Sequence, residues 1–246
     1  MRILMLACRA SYLLAMGGIK RGISTMATTT ATIEDYLQAI YSLEGEGETV
    51  ISARLSRRMR VTPPTGWATV RRMVRDGLVE LDDRKVINLT PKGHELAEDI
   101  TRRHRLAERF LVDVMGLGWA EAHEEAHIFE HAITPRLEGK ILSMAGNPKT
   151  CPHGSPIPGT GAKLATDLVP LSSLKAGEEA TIEFISEELE EDHDLLVYLE
   201  RNEMKPGGLI RVVDATASTG VVSVERNGQQ VPLGVAVADR IRVRKA

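Results

Sequence analysis

Between Ile33 and Leu43 the apolar residues Ile33, Leu37, Ile40, Tyr41 and Leu43 recur at helical spacing, with Thr32 placed to cap the first turn. This pattern predicts a first helix. The segments VISARLSRRM and TPPTGWATVRRMVRDG read as two short helices, the second opened by Thr62 and two prolines and stopped by Gly77. LVELDDRKVINLT then alternates around a polar Asp82-Asp83-Arg84 tip, as a β-hairpin does. Three helices followed by a hairpin is the order of a winged helix-turn-helix.

A long helix begun by Pro91 follows, then two more over WAEAHEEAHIFEHAI and TPRLEGKILSMAG. Their apolar stripes (Leu106, Phe110, Leu111 and Val114; Ala126, Phe129, Ala132 and Ile133) suit either an intramolecular core or a subunit interface. Residues 146–163 are dense in Gly and Pro and read as a linker. From about Leu164 the pattern changes to short β-rich runs with a hairpin signal at Asn227-Gly228, so a small β-barrel is expected. The expected organisation is an extension over 1–25, a DNA-binding unit over 26–90, a helical unit over 91–145, the linker, and a barrel over 164–246.

Composition narrows the class. The chain has 246 residues, 43% hydrophobic and 26% charged, which is ample for two domains with real cores. With a formal net charge of −3, no global basic field marks a nucleic-acid binder, so any such face must be local. One exists: Ile51 to Arg75 holds seven arginines and no acidic residue. A solvated helical surface is the alternative, but coincidence with the helix-turn-helix pattern favours phosphate contact. Cys8 and Cys151 make no disulfide framework, which favours a reducing compartment and the cytoplasm. Arg9 interrupts the apolar start, which leaves no membrane span; it reads as a disordered extension ahead of a second start at Met26.

The candidate chemistry lies in HEEAHIFEHAI, residues 123–133. His123-Glu124-x-x-His127 matches the zinc hydrolase pattern, in which two imidazoles on one helical face hold the metal and Glu124 would be the base. His127, Glu130 and His131 continue it at i, i+3 and i+4, crowding three ligand-type side chains on one patch. Hydrolysis leaves Glu130, His131 and the basic face without a role. From Glu178 to Glu200 there are ten acidic residues and no Lys or Arg, a stretch expected to be mostly solvated surface with a ligand to spare for a nearby cation.

The winged helix, RRHRLAERFL, HEEAHIFEHAI, CPHGSPIPG and the terminal β-module, in that order, resemble the diphtheria toxin repressor and manganese transport regulator family of metal-activated repressors. LLVYLERNEMKPGGLIRV looks like its FeoA-type, SH3-like barrel. The likeness runs from about Thr32 to the C-terminus. It implies a mainly α N-terminal part, winged helix-turn-helix plus helical dimerisation domain, followed by that barrel. It further implies a homodimer on a palindromic double-stranded DNA operator, with a divalent metal as co-repressor, no enzymatic role and no membrane association.

On matching positions the resemblance puts the main metal site at Asp35, His127, Glu130 and His131, with His104 beside it or shared. His127 stands where the family carries Glu or Cys, so its role is inferred from its chemistry. Gln38 replaces an acidic residue of the manganese-type pattern. An ancillary site is implied at Glu108, Cys151 and His153, completed by Glu191, with Asp194 next, or by His123; a Pro-rich turn with no ligand role is the alternative for Cys151 and His153. Asp35 is the manganese-type residue, so Mn(II) is expected first and Fe(II) next, with Zn(II) or other divalent ions binding in vitro. The resemblance also assigns the recognition helix to Thr62–Arg75. Thr62, Pro64 and Thr65 sit at its tip for base edges, and Arg54, Arg71 and Arg75 are candidates for phosphates.

Overall fold

A computed structural model describes residues 30–215 and 220–246. The expected extension over 1–25, with Cys8, lies outside the described residues. From Ala31 onward the chain forms one compact unit.

The N-terminal part follows the order read from the pattern. Helix α1 (Ala31–Gly45) packs Ile33, Tyr36, Leu37, Ile40 and Leu43 into a core shared with α2 (Ser52–Arg58) and α3 (Pro63–Arg75). Thr32 lies inside α1 and so does not cap it. Thr62 precedes α3 in extended conformation but makes no side-chain cap, leaving prolines to set the first turn. Strands β1 (Val79–Leu81) and β2 (Ile87–Leu89) pair antiparallel as the wing, and Asp82 caps its tip by accepting from the Arg84 and Val86 amides.

Helix α4 (Pro91–Asp113) is the spine. Its N-cap is Thr90, whose Oγ1 accepts from the Gly93 amide at 3.0 Å. One face of α4 packs on α1; the other meets α5 (Trp119–Phe129) and α6 (Pro135–Met144), where Leu106, Leu111, Ala126, Ile133 and Ile141 close a second core. Those stripe residues are therefore intramolecular. Val114, Met115, Ile128 and Met144 of the same region stay exposed. α5 also ends earlier than the pattern predicts: Glu130–Ala132 form a 3₁₀ turn, not a continued α-helix.

The C-terminal part is a six-stranded antiparallel sheet, ordered β3 (Val169–Pro170), β8 (Ile241–Lys245), β4 (Glu179–Ile185), β5 (Leu209–Asp214), β6 (Val221–Arg226) and β7 (Gln229–Gly234). Between β4 and β5 lie a one-turn helix α7 (Glu187–Glu190) and α8 (His193–Arg201); α9 (Val235–Ala238) precedes β8. Trp119 and Ala120 of α5 belong to the barrel core, and the Glu200 carboxylate accepts from the Trp119 amide at 3.0 Å. The barrel is thus fastened to the helical part. Among the described residues no helix is long and apolar enough to cross a membrane.

Gly93 shows how closely the wing sits on the spine. A Cβ there would lie 1.8 Å from the Leu78 carbonyl oxygen, a backbone atom that cannot swing aside. Gly93→Ala should therefore cost about 1–3 kcal/mol of stability through overpacking, measurable as a lower denaturation midpoint. An unchanged midpoint would show that the wing is not held this tightly.

Candidate metal centre

Four overlapping groups of ligand-type side chains gather around α4, α5 and the 3₁₀ turn that follows it, among the described residues. In the first, Asp35 from α1 meets Glu130 and His131 from the 3₁₀ turn, each offering a ligand atom within 4.8 Å of the others. His131 Nε2 lies 3.6 Å from Glu130 Oε1, and its Nδ1 lies 2.9 Å from Glu34. Burial, with the Glu130 carboxylate second, pushes Asp35 up to about 6. Two carboxylates held close in a half-dry site are what a divalent cation relieves.

The structure places His127 differently from the expected set. It groups with His104 and His123, and its Nε2 is 3.3 Å from His123 Nε2. The cause is the 3₁₀ turn: at three residues per turn, Glu130 and His131 no longer continue the α-helical face that carries His127. His127 still borders a cavity of about 30 Å³ lined by Asp35, Gln38, Glu187 and Glu191. Burial, then its histidine neighbours, depress His127 to about 2, so its imidazole stays neutral and able to ligate. His104 links the two groups, with Nδ1 2.6 Å from Glu130 Oε2 and Nε2 3.3 Å from Glu108 Oε1.

The second group is buried. Glu108 of α4 meets Cys151 and His153 of the linker, and Glu190 of α7 completes it, with His153 Nδ1 3.2 Å from Glu190 Oε1. The carboxylate that the barrel places beside His153 is Glu190, whereas Glu191 and Asp194 are not in this group. A one-turn helix turns Glu190 inward, while Glu191 at its end lines the cavity beside Asp35 and Asp194 lies on the outer rim. His123 joins Glu108 and Glu190 from the other side, its Nδ1 2.9 Å from Glu108 Oε1. Ser186 before a Glu-rich stretch signals a helix start, but sequence does not say which of its carboxylates faces in.

The linker is built to present its ligands. Arg109 donates to the carbonyls of Thr150 and Cys151, each at 2.9 Å, and the Ile185 amide donates to the His153 carbonyl at 2.9 Å, tying the segment to β4. Gly154 has φ +96°, and a Cβ there would lie 2.3 Å from the Glu183 carbonyl oxygen. Only glycine fits beside His153.

These residues fit a metal. Glu108 Oε2, Glu130 Oε1, Glu190 Oε1 and both His153 ring nitrogens are buried without an aligned hydrogen-bond partner, although His153 and Glu190 are close enough to form an ion pair. They lie in neighbouring groups of ligand-type side chains whose polar atoms are within 4.8 Å of one another in each group. Burial disfavours charge on His104 and His153, yet the facing carboxylates outweigh it and raise both well above the ordinary imidazole value. Burial raises Glu108, and His104 and His153 more than reverse this, holding it well below the carboxylate range. Burial alone leads in raising the Cys151 thiol. The clusters carry protons in place of cations, which a bound ion would displace.

Glu124 of the hydrolase pattern is exposed and pairs with His193 at 2.9 Å, on a cavity that His123 and His127 also line. On the DNA-binding side, Thr62, Pro64, Thr65, Arg71 and Arg75 are exposed along α3. Thr62 and Thr65 share a 2.9 Å hydroxyl contact, and Arg75 lies 3.0 Å from Asp76. Arg54 is held by Glu48 at 2.6 Å and is less available for phosphate than the pattern implies. Arg58 and Arg60 do not belong to the basic face at all, since they point to Glu187 and the Glu191 carbonyl of the barrel side.

Three family models match in this same order. The N-terminal DNA-binding domain of iron-dependent repressors matches residues 28–87, their metal-binding and dimerisation domain residues 90–159, and the FeoA domain residues 169–245. The iron-dependent repressor IdeR of Mycobacterium tuberculosis is 38% identical over 224 residues, 87% of this chain and 97% of the relative. The chain belongs to the diphtheria toxin repressor family. The Corynebacterium diphtheriae diphtheria toxin repressor is 32% identical over 220 residues, 86% of this chain and 96% of its own length. Among solved structures, a manganese-dependent transcriptional repressor in complex with manganese has a TM-score of 0.76 at 31% identity, covering 87% of this chain and all of that one. As a member of this family of transcriptional repressors, the protein is a metal-activated DNA-binding repressor, and hydrolysis finds no support.

The Asp35 group yields a pH dependence. Above about 6 Asp35 is ionised and ready to ligate; below it, a proton must leave before a cation can bind. Divalent-metal affinity should fall as pH drops through about 6, with the Asp35 proton alone costing up to about tenfold per pH unit below it. Isothermal titration across pH 5–8 reads this, and a flat profile would remove Asp35 from the site. In the metal-free protein the sign reverses: a carboxyl raised above its unfolded value of 3.8 contributes stability at low pH that is lost as pH rises through about 6.

Proposed function

We propose that this protein represses metal-homeostasis genes as a cytoplasmic homodimer on a palindromic operator, with Mn(II) as principal co-repressor and Fe(II) next. The observation that carries this reading is the convergence of Asp35, on the first helix of the DNA-binding part, with Glu130 and His131, on the dimerisation part. A divalent cation supplies the positive charge that lets these donors share one point. The residues themselves span a joint, so ligation selects one orientation of the head, and metal affinity and DNA affinity become thermodynamically linked.

Asp35, Glu130 and His131 form the main set, with His104 supporting Glu130 and His127 bordering the same cavity. Glu108, Cys151, His153 and Glu190 form the ancillary set, with His123 against it. The main set has two carboxylates and one imidazole and no sulfur, a donor mix that suits Mn(II) and Fe(II); the thiol is confined to the ancillary set. The relatives support both metals, one named iron-dependent and another manganese-dependent. Exposed Val114, Met115, Ile128 and Met144 supply the apolar surface for the subunit interface. Thr62, Pro64 and Thr65 read bases, while Arg71 and Arg75 meet phosphates.

DNA binding by the full chain to the region upstream of its own gene, with chelator and with Mn(II), Fe(II) or Zn(II), tests the reading. Mn(II) should activate most and Zn(II) incompletely, because four ligands satisfy zinc without drawing in the rest. Full activation by Zn(II) and none by Mn(II) would overturn the metal assignment. Glu130→Gln and His131→Ala should abolish metal activation with the dimer intact, whereas Glu124→Gln should be silent in DNA binding and in a peptide-cleavage control.

Arg71→Ala should weaken binding to all sequences and reduce the salt slope by about one, while Thr65→Ala relaxes sequence preference. A change of operator choice at constant salt slope for Arg71→Ala would show that the two roles have been exchanged.

A further inference from the structure

The chain has two tryptophans, and the fold treats them differently. Trp119 is 3% exposed inside the barrel core, whereas Trp67 of α3 is 38% exposed and lies outside the core that α3 shares with α1 and α2. That core takes Gly66, Val70 and Met73 from α3. Gly66 brings α3 close onto α2, since a Cβ there would lie 2.1 Å from Ser56 Oγ and 3.1 Å from Ser56 Cβ. The residue after it is thus carried on a backbone held in place, with its ring left in solvent.

The neighbours of Trp67 say what would cover that ring. Pro64, Trp67 and Arg71 follow one another at i, i+3 and i+7 along one exposed side of the helix, and Ala68 beside them is exposed and carries only a methyl. No acidic residue occurs between Ile51 and Arg75, so this side suits an anionic partner. On double-stranded DNA the guanidinium groups take the phosphates. An indole is a broad apolar plate, and leaving water favours it only where another apolar group covers it. Among the base edges of the major groove one such group exists, the C5-methyl of thymine.

We propose that Trp67 is a specificity-determining residue: its ring covers a thymine methyl in each half of the operator and favours thymine there, beyond what Thr62, Pro64 and Thr65 select. The proposal rests on the reading of α3 as the recognition helix. The small side chain of Ala68 keeps the close approach to the base edges open, and Trp67 supplies the contact area that Ala68 lacks.

Duplexes enriched from a random library by the full chain loaded with Mn(II), Fe(II) or Zn(II) supply the sequences for the test. Each thymine is then replaced singly by uracil, which removes the methyl and leaves every hydrogen-bonding group. The wild type should lose about fourfold in affinity at one thymine per half-site, the loss expected for one buried methyl, and Trp67→Ala should bind thymine and uracil there equally. Trp67→Phe, with a smaller plate, should keep part of the discrimination, and at thymines read by other residues both variants should behave as the wild type. Thermal unfolding reports whether the variants are folded; should Trp67→Ala fail to fold or to bind, the reduced discrimination of Trp67→Phe decides. The proposal is overturned if the variants discriminate thymine from uracil at every position as the wild type does, or if the wild type distinguishes the two nowhere. A wild-type chain that enriches no sequence with any of the three metals sinks the recognition-helix reading as well, whereas one that enriches an operator and reads its methyls without Trp67 sinks this inference alone.

Discussion

Four carboxylates, Glu108, Glu130, Glu187 and Glu190, lie at 3% exposure or less, and each would cost several kcal/mol if its charge were left uncompensated. The fold answers that penalty in two ways. Glu187 faces two guanidinium groups and a hydroxyl, permanent partners that do not change with pH or ion supply. Burial would raise it, but Arg105 and Arg58 bring it down to about 2, so it stays ionised. Glu108, Glu130 and Glu190 face imidazoles, whose charge is conditional, and retain oxygens with no aligned partner. Conditional compensation suits a responsive site, and permanent compensation suits a fixed contact. The rest of the molecule arranges chain segments so that both kinds meet around α4.

That distinction explains how far the sequence could be read. The head and wing were legible because their signals are local: helical spacing in α1, prolines opening α3 and α4, and the Asp82 turn. The residue types of the metal clusters were legible too. Their partition was not, because it depends on α5 giving way to a 3₁₀ turn at Glu130, a change of three residues that separates His127 from His131. Nor does composition reveal which carboxylates of an acidic run turn inward. Glu187 and Glu190 do so only because Ser186 starts one helical turn against α4 and the linker. The basic stretch was misread in part for a related reason. Arg58 and Arg60 serve as counter-charges and donors to a segment some 130 residues away, and nothing local distinguishes them from Arg57.

The linker is the clearest case of composition misleading about mechanics. Dense Gly and Pro suggested a connector, yet Cys151, His153, Ser155 and Ile157 are buried, and a bridge between Thr150 and Pro156 closes the turn. Its glycine is required by close approach to β4 at Gly154, not by flexibility. A segment held by Arg109 on one side and Ile185 on the other presents its thiol and imidazole at fixed positions. This is the preorganisation a metal site needs, because ligands already ordered by the fold lose little freedom on binding.

The separation of ligands along the chain then carries the functional consequence. An H-E-x-x-H pair on one helix can hold an ion without any other part of the protein taking a position, so ligation there would be indifferent to the DNA-binding head. Asp35 and Glu130 are about a hundred residues apart and belong to parts joined through the long spine of α4. An ion shared between them exists only in arrangements where the two parts face each other correctly, so part of its binding free energy is spent on orientation. Moving a head from about 1% to 99% competent requires a preference of roughly 5.5 kcal/mol between its states. A site confined to α5 has no such preference to offer, however tightly it binds. A site spread across the joint, as proposed for Asp35, Glu130 and His131, has one.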